Sequence, residues 1–294
     1  MTDAPLEAMT SGPDGPTRRR RLPTILRQPL TVLAAAILLL IVSVALVAPW
    51  LDLASPTRMS ISQRLRPPSA AHWLGTDEFG RDVFARIVYG ARTSLLVGFL
   101  IVLVACVVGT TIGLMAGYVR RADGILMRFT DALMAFPDIL LAIALLAGLG
   151  PSLFNVVIAL AIVYTPRVAR VIRGATLVLR EMPFIEAADS FGASRAGIIL
   201  RHLLPNVASP LLVQATFIFA YSVLTEAALS FLGAGVPPTT PTWGNMIAAA
   251  QQYMQQAGWL ILAPGITIIV TVVALQVLGD GLRDALDPKL RRLV

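Results

Sequence analysis

Residues 94–118 read SLLVGFLIVLVACVVGTTIGLMAGY, a run without a charged side chain. Charge returns only at Arg92 before the run and at Arg120 after it. A bilayer core is about 30 Å thick, and a helix of roughly 20 mostly apolar residues crosses it. The run therefore predicts a transmembrane helix, and with it an integral membrane protein.

The rest of the chain supports the same fold class, since 56% of its 294 residues are apolar and only 14% are charged. Five other apolar runs lie at 30–47, 133–149, 153–164, 207–232 and 259–278. The second and third of these five are short, and the turn sequence Gly-Pro-Ser at 150–152 predicts a tight helical hairpin between them. We expect an all-α integral membrane fold with six transmembrane helices.

The N-terminal segment is polar. Residues 1–28 are rich in Pro, Gly, Thr and charge, so we expect a disordered, basic leader on the cytoplasmic side. Its length, and the Ala48-Pro49 sequence after the first apolar run, argue against a cleaved signal peptide. Residues 29–49 are therefore predicted to be an uncleaved first transmembrane helix.

The basic residues predict the orientation, because Lys and Arg keep loops in the cytoplasm. With the N-terminus inside, 18 of the 24 Lys and Arg residues fall on the cytoplasmic side. This distribution predicts that both termini are cytoplasmic, with a cytoplasmic tail at 281–294. The net charge of +7 follows from these membrane flanks, and the arginines are too dispersed to predict a nucleic-acid surface.

The residue counts exclude several kinds of site. Cys106 is the only cysteine, which excludes a disulfide within the chain. The two histidines, His72 and His202, fall on opposite predicted sides, so a histidine-rich metal site is excluded as well. Lys289 is the only lysine, and it does not belong to a phosphate-binding Gly-Lys-Ser/Thr sequence. If ATP is used, another chain binds it.

The segment between the fourth and fifth spans, 173–207, predicts a compact cytoplasmic loop. Pro183 suits the first turn of a helix over 184–191. Gly192 suits the left-handed position just past a helix end. A helix with such a sharp corner would transmit motion between a soluble motor and the spans, and a solvated connector is the simpler alternative.

A second short helix is expected at 195–202, with Ser194 as its cap. The Leu204-Pro205 sequence is expected to end that helix before the chain re-enters the membrane. Both short helices would then lie on the cytoplasmic face.

The same segment contains Glu-Ala-Ala, Gly and Leu-Pro in a recognisable order, at Glu186, Ala187, Ala188, Gly192, Leu204 and Pro205. This order resembles the signature loop of the inner-membrane permease subunits of ATP-binding cassette importers. His202 stands where that family usually has Ile, a departure shared by its peptide and nickel branch. Three other stretches, at 72–82, 226–233 and 279–288, are similar to the C-type subunit of the dipeptide, oligopeptide and nickel permeases.

The resemblance implies a type I ABC importer permease fold, with a five-helix core at 94–280 and the first helix at its periphery. It implies a homologous B-type permease partner, one or two ATPase chains that bind ATP and Mg, an external substrate-binding protein and a bacterial plasma (inner) membrane. The chain would hold no cofactor and would not be an enzyme. Its six signature residues would couple it to the ATPase.

The external side is expected to hold a loop at 50–93. Apolar residues recur in it at helical spacing: Val83, Phe84, Ile87 and Val88. They predict an interfacial helix that ends near Gly90, with docking of the binding protein as the alternative role. A second external segment, 233–258, lacks charge, and its Trp243 is expected at the membrane surface.

Acidic residues within spans are candidates for function by default. Asp138 starts the third span, where stabilisation of the helix dipole is favoured over a pathway role. Glu226 lies deeper in the fifth span, where a role in lining the substrate path or bonding the partner subunit is expected as strongly as an interfacial position. Tyr221, Ser222 and Thr225 lie one turn away and would line the same face.

Peptides are the expected substrate, with nickel chelates, glutathione or haem as alternatives. A proton-coupled secondary transporter would need an ionisable relay at mid-membrane and often an inverted repeat. A membrane-embedded hydrolase would need a nucleophile with a base or paired metal ligands. The sequence contains neither pattern.

Overall fold

The computed structural model describes residues 28–51 and 53–286, and within them it contains helices and one isolated β-bridge. Most of the predicted leader and the end of the predicted tail, 287–294, lie outside the described residues. The α-helices are α1 (Pro29–Val47), α2 (Val83–Tyr118), α3 (Arg120–Met134), α4 (Asp138–Leu149), α5 (Leu153–Leu179), α6 (Pro183–Ser190), α7 (Arg195–Ile198), α8 (Leu204–Phe231), α9 (Trp243–Ala250) and α10 (Trp259–Leu286).

The described residues contain five helical segments long and apolar enough to cross a membrane: α1, α2, α5, α8 together with α7, and α10. Helices α3 and α4 pass the same test only as a pair, which is bent by 92°. Helix α4 alone has 12 residues and is about 18 Å long, too short for a bilayer core. The six predicted spans are therefore present if the bent pair counts as one crossing.

The prediction of a single continuous helix over 133–149 for the third span is wrong. Helix α3 ends at Met134 and α4 starts at Asp138. Pro137 accounts for the break, because its ring disfavours a helical conformation at Phe136 and it has no backbone N–H to donate. The kink is therefore local, and it turns the charged α3 away from the apolar α4.

The hairpin predicted between α4 and α5 is confirmed. Gly150 ends α4 with a φ of +83°, and Ser152 caps α5 by accepting a hydrogen bond from the Asn155 N–H at 3.0 Å. Helix α5 then runs for 27 residues, well beyond the predicted end at residue 164. The arginines that were assigned to a loop therefore lie on a membrane helix.

The predicted interfacial helix ending near Gly90 is wrong. Helix α2 starts at Val83 and continues unbroken through Gly90. A Cβ at Gly90 would lie 3.3 Å from the Trp243 ring, so this glycine makes room for a side chain. Trp243 is completely buried, and its indole N–H donates to the Ile87 carbonyl at 3.1 Å. Trp243 is therefore packed inside the chain, and its expected position at the level of the membrane surface stays a prediction.

The predicted helix stop at Leu204-Pro205 is also wrong. Helix α7 continues through a π-helical turn, Ile199–Leu203, directly into α8. The wider π turn changes the hydrogen-bond register, so a proline in the first turn of α8 is tolerated. Ser194 caps α7 as predicted, because it accepts a hydrogen bond from the Gly197 N–H at 3.1 Å.

Helices α2, α5 and α8 enclose the main apolar core. Helix α2 presents three glycines, four residues apart, to α5: Gly109, Gly113 and Gly117. A Cβ at Gly113 would lie 2.7 Å from the Ala169 carbonyl oxygen, so the two backbones approach closely. Small residues allow such contact between membrane helices. We call this contact the glycine seam.

Helices α1 and α10 pack together at the edge of the bundle. The Gln28 side chain donates to the Asp284 carboxylate at 3.1 Å, so the start of α1 lies beside the end of α10. Helix α10 continues to Leu286, and the tail predicted from residue 281 therefore begins inside a helix. We call this end of the bundle, where α5 also ends and α8 starts, the loop end.

Candidate functional site

The loop between α5 and α8 turns at a corner that backbone hydrogen bonds hold in place. Gly192 follows α6 with a φ of +78°. The Ala193 N–H donates to the Ala188 carbonyl at 3.0 Å, and the Gly192 N–H donates to the Asp189 carbonyl at 2.9 Å. This pair of bonds is the Schellman arrangement of a helix C-terminus. The predicted left-handed corner is therefore confirmed.

Buried apolar side chains attach this loop to the bundle. Ile185, Ile198 and Leu203 are 4% exposed or less. The Phe184 ring lies 6.4 Å from the His202 ring, which joins α6 to the π turn. Because the π turn runs directly into α8, the loop and a candidate membrane helix are joined without a break.

The six predicted coupling residues differ in burial. Glu186, Ala187, Gly192 and Pro205 are exposed, and Ala188 and Leu204 are half-buried. Beside the corner, the Phe191 ring is 92% exposed. The loop thus combines a fixed backbone with an uncovered surface that carries both an acid and an aromatic ring.

A cleft of about 780 Å³ opens between this loop and the junction of α2 with α3. Its charged lining residues are Arg120, Arg121, Arg180, Glu181, Glu186, Asp189 and Arg195. Arg180 fixes one wall by donating to the Gly117 carbonyl at 2.9 Å. A recess of this size and mixed charge can receive an element of another protein.

A second site lies between α5 and the bent pair. Helix α5 presents arginines three residues apart, on one face: Arg167, Arg170 and Arg173. Each pairs with an aspartate of α3 or α4: Arg167 with Asp138, Arg170 with Asp131 at 2.7 Å, and Arg173 with Asp123 through two bonds of 2.5 and 2.7 Å. We call these three ion pairs the arginine ladder.

The ladder lies within candidate membrane spans and yet remains open on one side. Arg167 is near the middle of the 27-residue α5, with about 20 Å of helix on either side of it. The Arg167 and Asp138 side chains are 35% and 34% exposed, and those of Arg170 and Asp131 are more exposed still. Charges within a membrane span face protein or water, because their burial in lipid is costly. We therefore expect this face of the chain to border water or a second protein.

Aromatic residues surround the deepest pair of the ladder. The Arg167 guanidinium carbon lies 5.5 Å from the centre of the Tyr164 ring and 5.8 Å from the centre of the Tyr221 ring. The Tyr164 hydroxyl is hydrogen-bonded to the Thr225 hydroxyl at 2.7 Å, which connects α5 to α8. Tyr164 is buried, and Tyr221 is 45% exposed.

The four residues predicted near one face of α8 divide into two groups. Tyr221 and Thr225 lie towards the ladder, whereas Ser222 and Glu226 are buried in the interior. Successive residues of a helix are 100° apart, so these groups point in different directions. Glu226 accepts a hydrogen bond from the Ser230 hydroxyl at 2.9 Å. The structure does not bring it near Arg167.

Sequence reasoning missed the ladder. It treated Arg167, Arg170 and Arg173 as cytoplasmic flanks and did not single out Asp123 and Asp131. The available signal was the arginine spacing of three, which puts the side chains on one helix face. The described residues contain no group of three or more His, Cys, Asp or Glu arranged to hold a metal.

Comparison with known proteins gives matches across most of the chain. Residues 109–292 match the family described as binding-protein-dependent transport system inner membrane component. The dipeptide transport system permease protein DppC of Alkalihalophilus pseudofirmus is 48% identical over 89% of this chain and 86% of its own length. The glutathione transport system permease protein GsiD of Pectobacterium atrosepticum is 46% identical over 90% of this chain and 89% of its own.

A solved structure shares the fold. The MetNI methionine ABC transporter in inward-facing conformations contains a chain that matches with a TM-score of 0.57 and 20% identity. The match covers 69% of the present chain and 97% of the other chain. At this identity the likeness concerns the arrangement of helices alone.

Proposed function

The chain belongs to the binding-protein-dependent transport system inner membrane components, and from this premise we propose that it forms half of an import pathway for di- or oligopeptides. It is a multi-pass inner-membrane permease of an ATP-binding cassette importer and not an enzyme. Such an importer also has ATPase subunits and a binding protein. A relative named for dipeptide transport supports the substrate proposal.

We place the second half of the pathway against the arginine ladder. A homologous B-type permease is the proposed partner, and the path runs between the two chains. The half-exposed charges of Asp138 and Arg167 support this placement, because they need a polar neighbour within the membrane. The exposed Tyr221 lies on the same face and is proposed to line the path, together with Thr225 behind it.

We propose that the loop at Gly192 and its neighbouring cleft couple the chain to one or two ATPase chains, which bind ATP and Mg. Glu186 and Ala187 offer exposed contacts, and the Schellman corner keeps them in a fixed position. ATP binding favours one arrangement of the ATPases, so it shifts the population of permease conformations through this contact. Leu204 and Pro205 carry that displacement into α8.

The proposed orientation puts the loop end, and with it both termini, in the cytoplasm. The basic residues support it. The opposite end then faces the binding protein, and the segments at 53–82 and 233–258 provide the docking surface. The two segments are in contact there, since the Arg64 guanidinium donates to the Tyr253 hydroxyl at 3.1 Å.

Other substrates remain as alternatives within the same kind of complex, because one relative is named for glutathione transport. Nickel chelates and haem belong to the same set of expectations. A proton-coupled secondary transporter finds no support, since the relatives are permeases of binding-protein-dependent systems.

Reconstitution tests the proposal. The chain, its partner permease, the ATPases and the binding protein are placed together in liposomes, and uptake of a radiolabelled dipeptide is measured with ATP and with ADP. We expect uptake that needs ATP and every subunit. Uptake by this chain alone, or ATP-driven uptake of glutathione with none of dipeptides, would contradict it.

A further inference from the structure

We propose that Asp138, Arg167 and Tyr221 form a transient contact site for the charged ends of a peptide inside the membrane pathway. This inference rests on the proposed function and makes it more specific. It assigns direct contact with the substrate to the membrane chain, at a position about halfway along α5.

The three pairs of the ladder are not equivalent. Asp123 and Arg173 are joined by two hydrogen bonds and are about 30% exposed. These bonds occupy both carboxylate oxygens of Asp123. Asp131 and Arg170 are joined by one bond and are more than half exposed, without an aromatic ring beside them among the described contacts. Only the Arg167 pair combines partial exposure with two tyrosine rings.

Arg167 keeps hydrogen-bonding capacity for a ligand. A guanidinium has five N–H donors, and the bond to Asp138 uses the Nη2 nitrogen. The remaining N–H groups can donate to a carboxylate, for which the planar guanidinium is well matched. One oxygen of Asp138 lies outside that bond and can accept from an ammonium group.

A peptide with free termini carries both of these groups. Its carboxylate would pair with Arg167 and its ammonium with Asp138, so each charge would exchange one partner for another. Such an exchange avoids leaving an unpaired charge within the membrane, which is costly. Contact of this kind is weak enough for release, as passage through a pathway requires.

The two tyrosines beside Arg167 have different roles in this exchange of partners. Tyr164 is buried and tied to Thr225, so its ring holds the guanidinium in place when Asp138 changes partner. Tyr221 is 45% exposed and offers a ring face to peptide side chains of any kind. The site would therefore select for charged termini while tolerating different side chains.

The test uses the complete reconstituted importer with its binding protein saturated by dipeptide, so that recognition outside the membrane is not rate-limiting. We expect Arg167→Gln and Asp138→Asn to lower the maximal rate of uptake about tenfold, the size of a lost charge-assisted bond. In the exposed pair of the same ladder, Arg170→Gln and Asp131→Asn are expected to lower the rate less than the variants at Arg167 and Asp138 do, since exposed pairs contribute little.

A double variant in which the two charged residues are swapped distinguishes substrate contact from a purely structural role. In the double variant Asp138→Arg with Arg167→Asp, a merely structural pair would be restored and uptake would return. We expect uptake to stay low, because the positive charge now lies on α4. Recovery to the unmodified rate would overturn the inference.

Cross-linking keeps the inference testable if a variant fails to assemble. A dipeptide carrying a diazirine is irradiated during turnover of the unmodified importer, and adducts are located by mass spectrometry. We expect adducts near Arg167 and Tyr221, lost in Arg167→Gln and kept in Arg170→Gln. If dipeptide is imported without adducts there, this inference fails and the proposed function stands; if no dipeptide is imported, both fail.

Discussion

Helix α5 is attached to its neighbours in opposite ways on two of its sides. On the side of α2, the glycine seam brings the two backbones into close contact, with the Thr176 side chain packed against Gly117. On the side of α3 and α4, the arginine ladder joins them through long charged side chains that stay partly exposed. Close backbone packing has one arrangement, whereas ion pairs can exchange partners. The seam therefore suits a fixed contact, and the ladder suits a contact that changes during transport.

If the glycine seam tolerates large residues, it is not a fixed contact and does not differ from the ladder in this respect. We expect Gly113→Leu to lower the free energy of unfolding by about 3 kcal/mol or to prevent assembly, because even a Cβ would lie 2.7 Å from the Ala169 carbonyl. The control is Gly174→Leu on α5, where nothing lies within 4 Å. Thermal unfolding of the purified complexes measures both, and equal midpoints would contradict the fixed contact.

The loop that follows α5 tests the same distinction between fixed and changing contacts. In the proposed coupling it moves as a rigid unit, so its corner must not deform. We expect Gly192→Ala to cost about 1–2 kcal/mol, the penalty of a left-handed backbone for a residue with a Cβ, and to lower uptake per ATP hydrolysed. Gly150→Ala carries the same strain away from the loop, at φ +83° with open space around it. A similar loss of coupling in both variants would rule out a specific role for the corner.

A smaller effect is expected within the ladder. We expect a double-mutant cycle on Arg173→Gln and Asp123→Asn to give a coupling energy of about 1 kcal/mol, because the pair is bidentate and partly exposed. The same cycle on Arg170 and Asp131 should give less, since both are more than half exposed. Unfolding in denaturant measures these values, and a reversed order would show that exposure does not govern the ladder.

Local features were predictable from the sequence, and distant pairings were not. The corner at Gly192 and the turn at Gly150 depend on residues a few positions apart, so their residue types suffice. The ladder joins residues 29, 39 and 50 positions apart. Only the packing of α3 and α4 against α5 brings them together, and no local pattern contains that information.

Two wrong predictions both treated a residue that often ends helices as a helix end. Gly90 was taken as the end of a helix, and Leu204-Pro205 as another. In the structure Gly90 makes room for Trp243, and a π turn carries the chain past Pro205. Tertiary packing keeps the helix continuous at Gly90. At Pro205 a change of helix register keeps it continuous.

The environment of the ladder face can be measured directly by cysteine labelling in a Cys106→Ala background. Tyr221→Cys lies on that face at a position 45% exposed in the chain, and Leu39→Cys lies on α1 at a position 69% exposed. If the ladder face borders a water-filled path and α1 borders lipid, a membrane-impermeant charged thiol reagent labels position 221 in the assembled importer and leaves position 39 unlabelled. Labelling of position 39 with none at 221 would contradict the account.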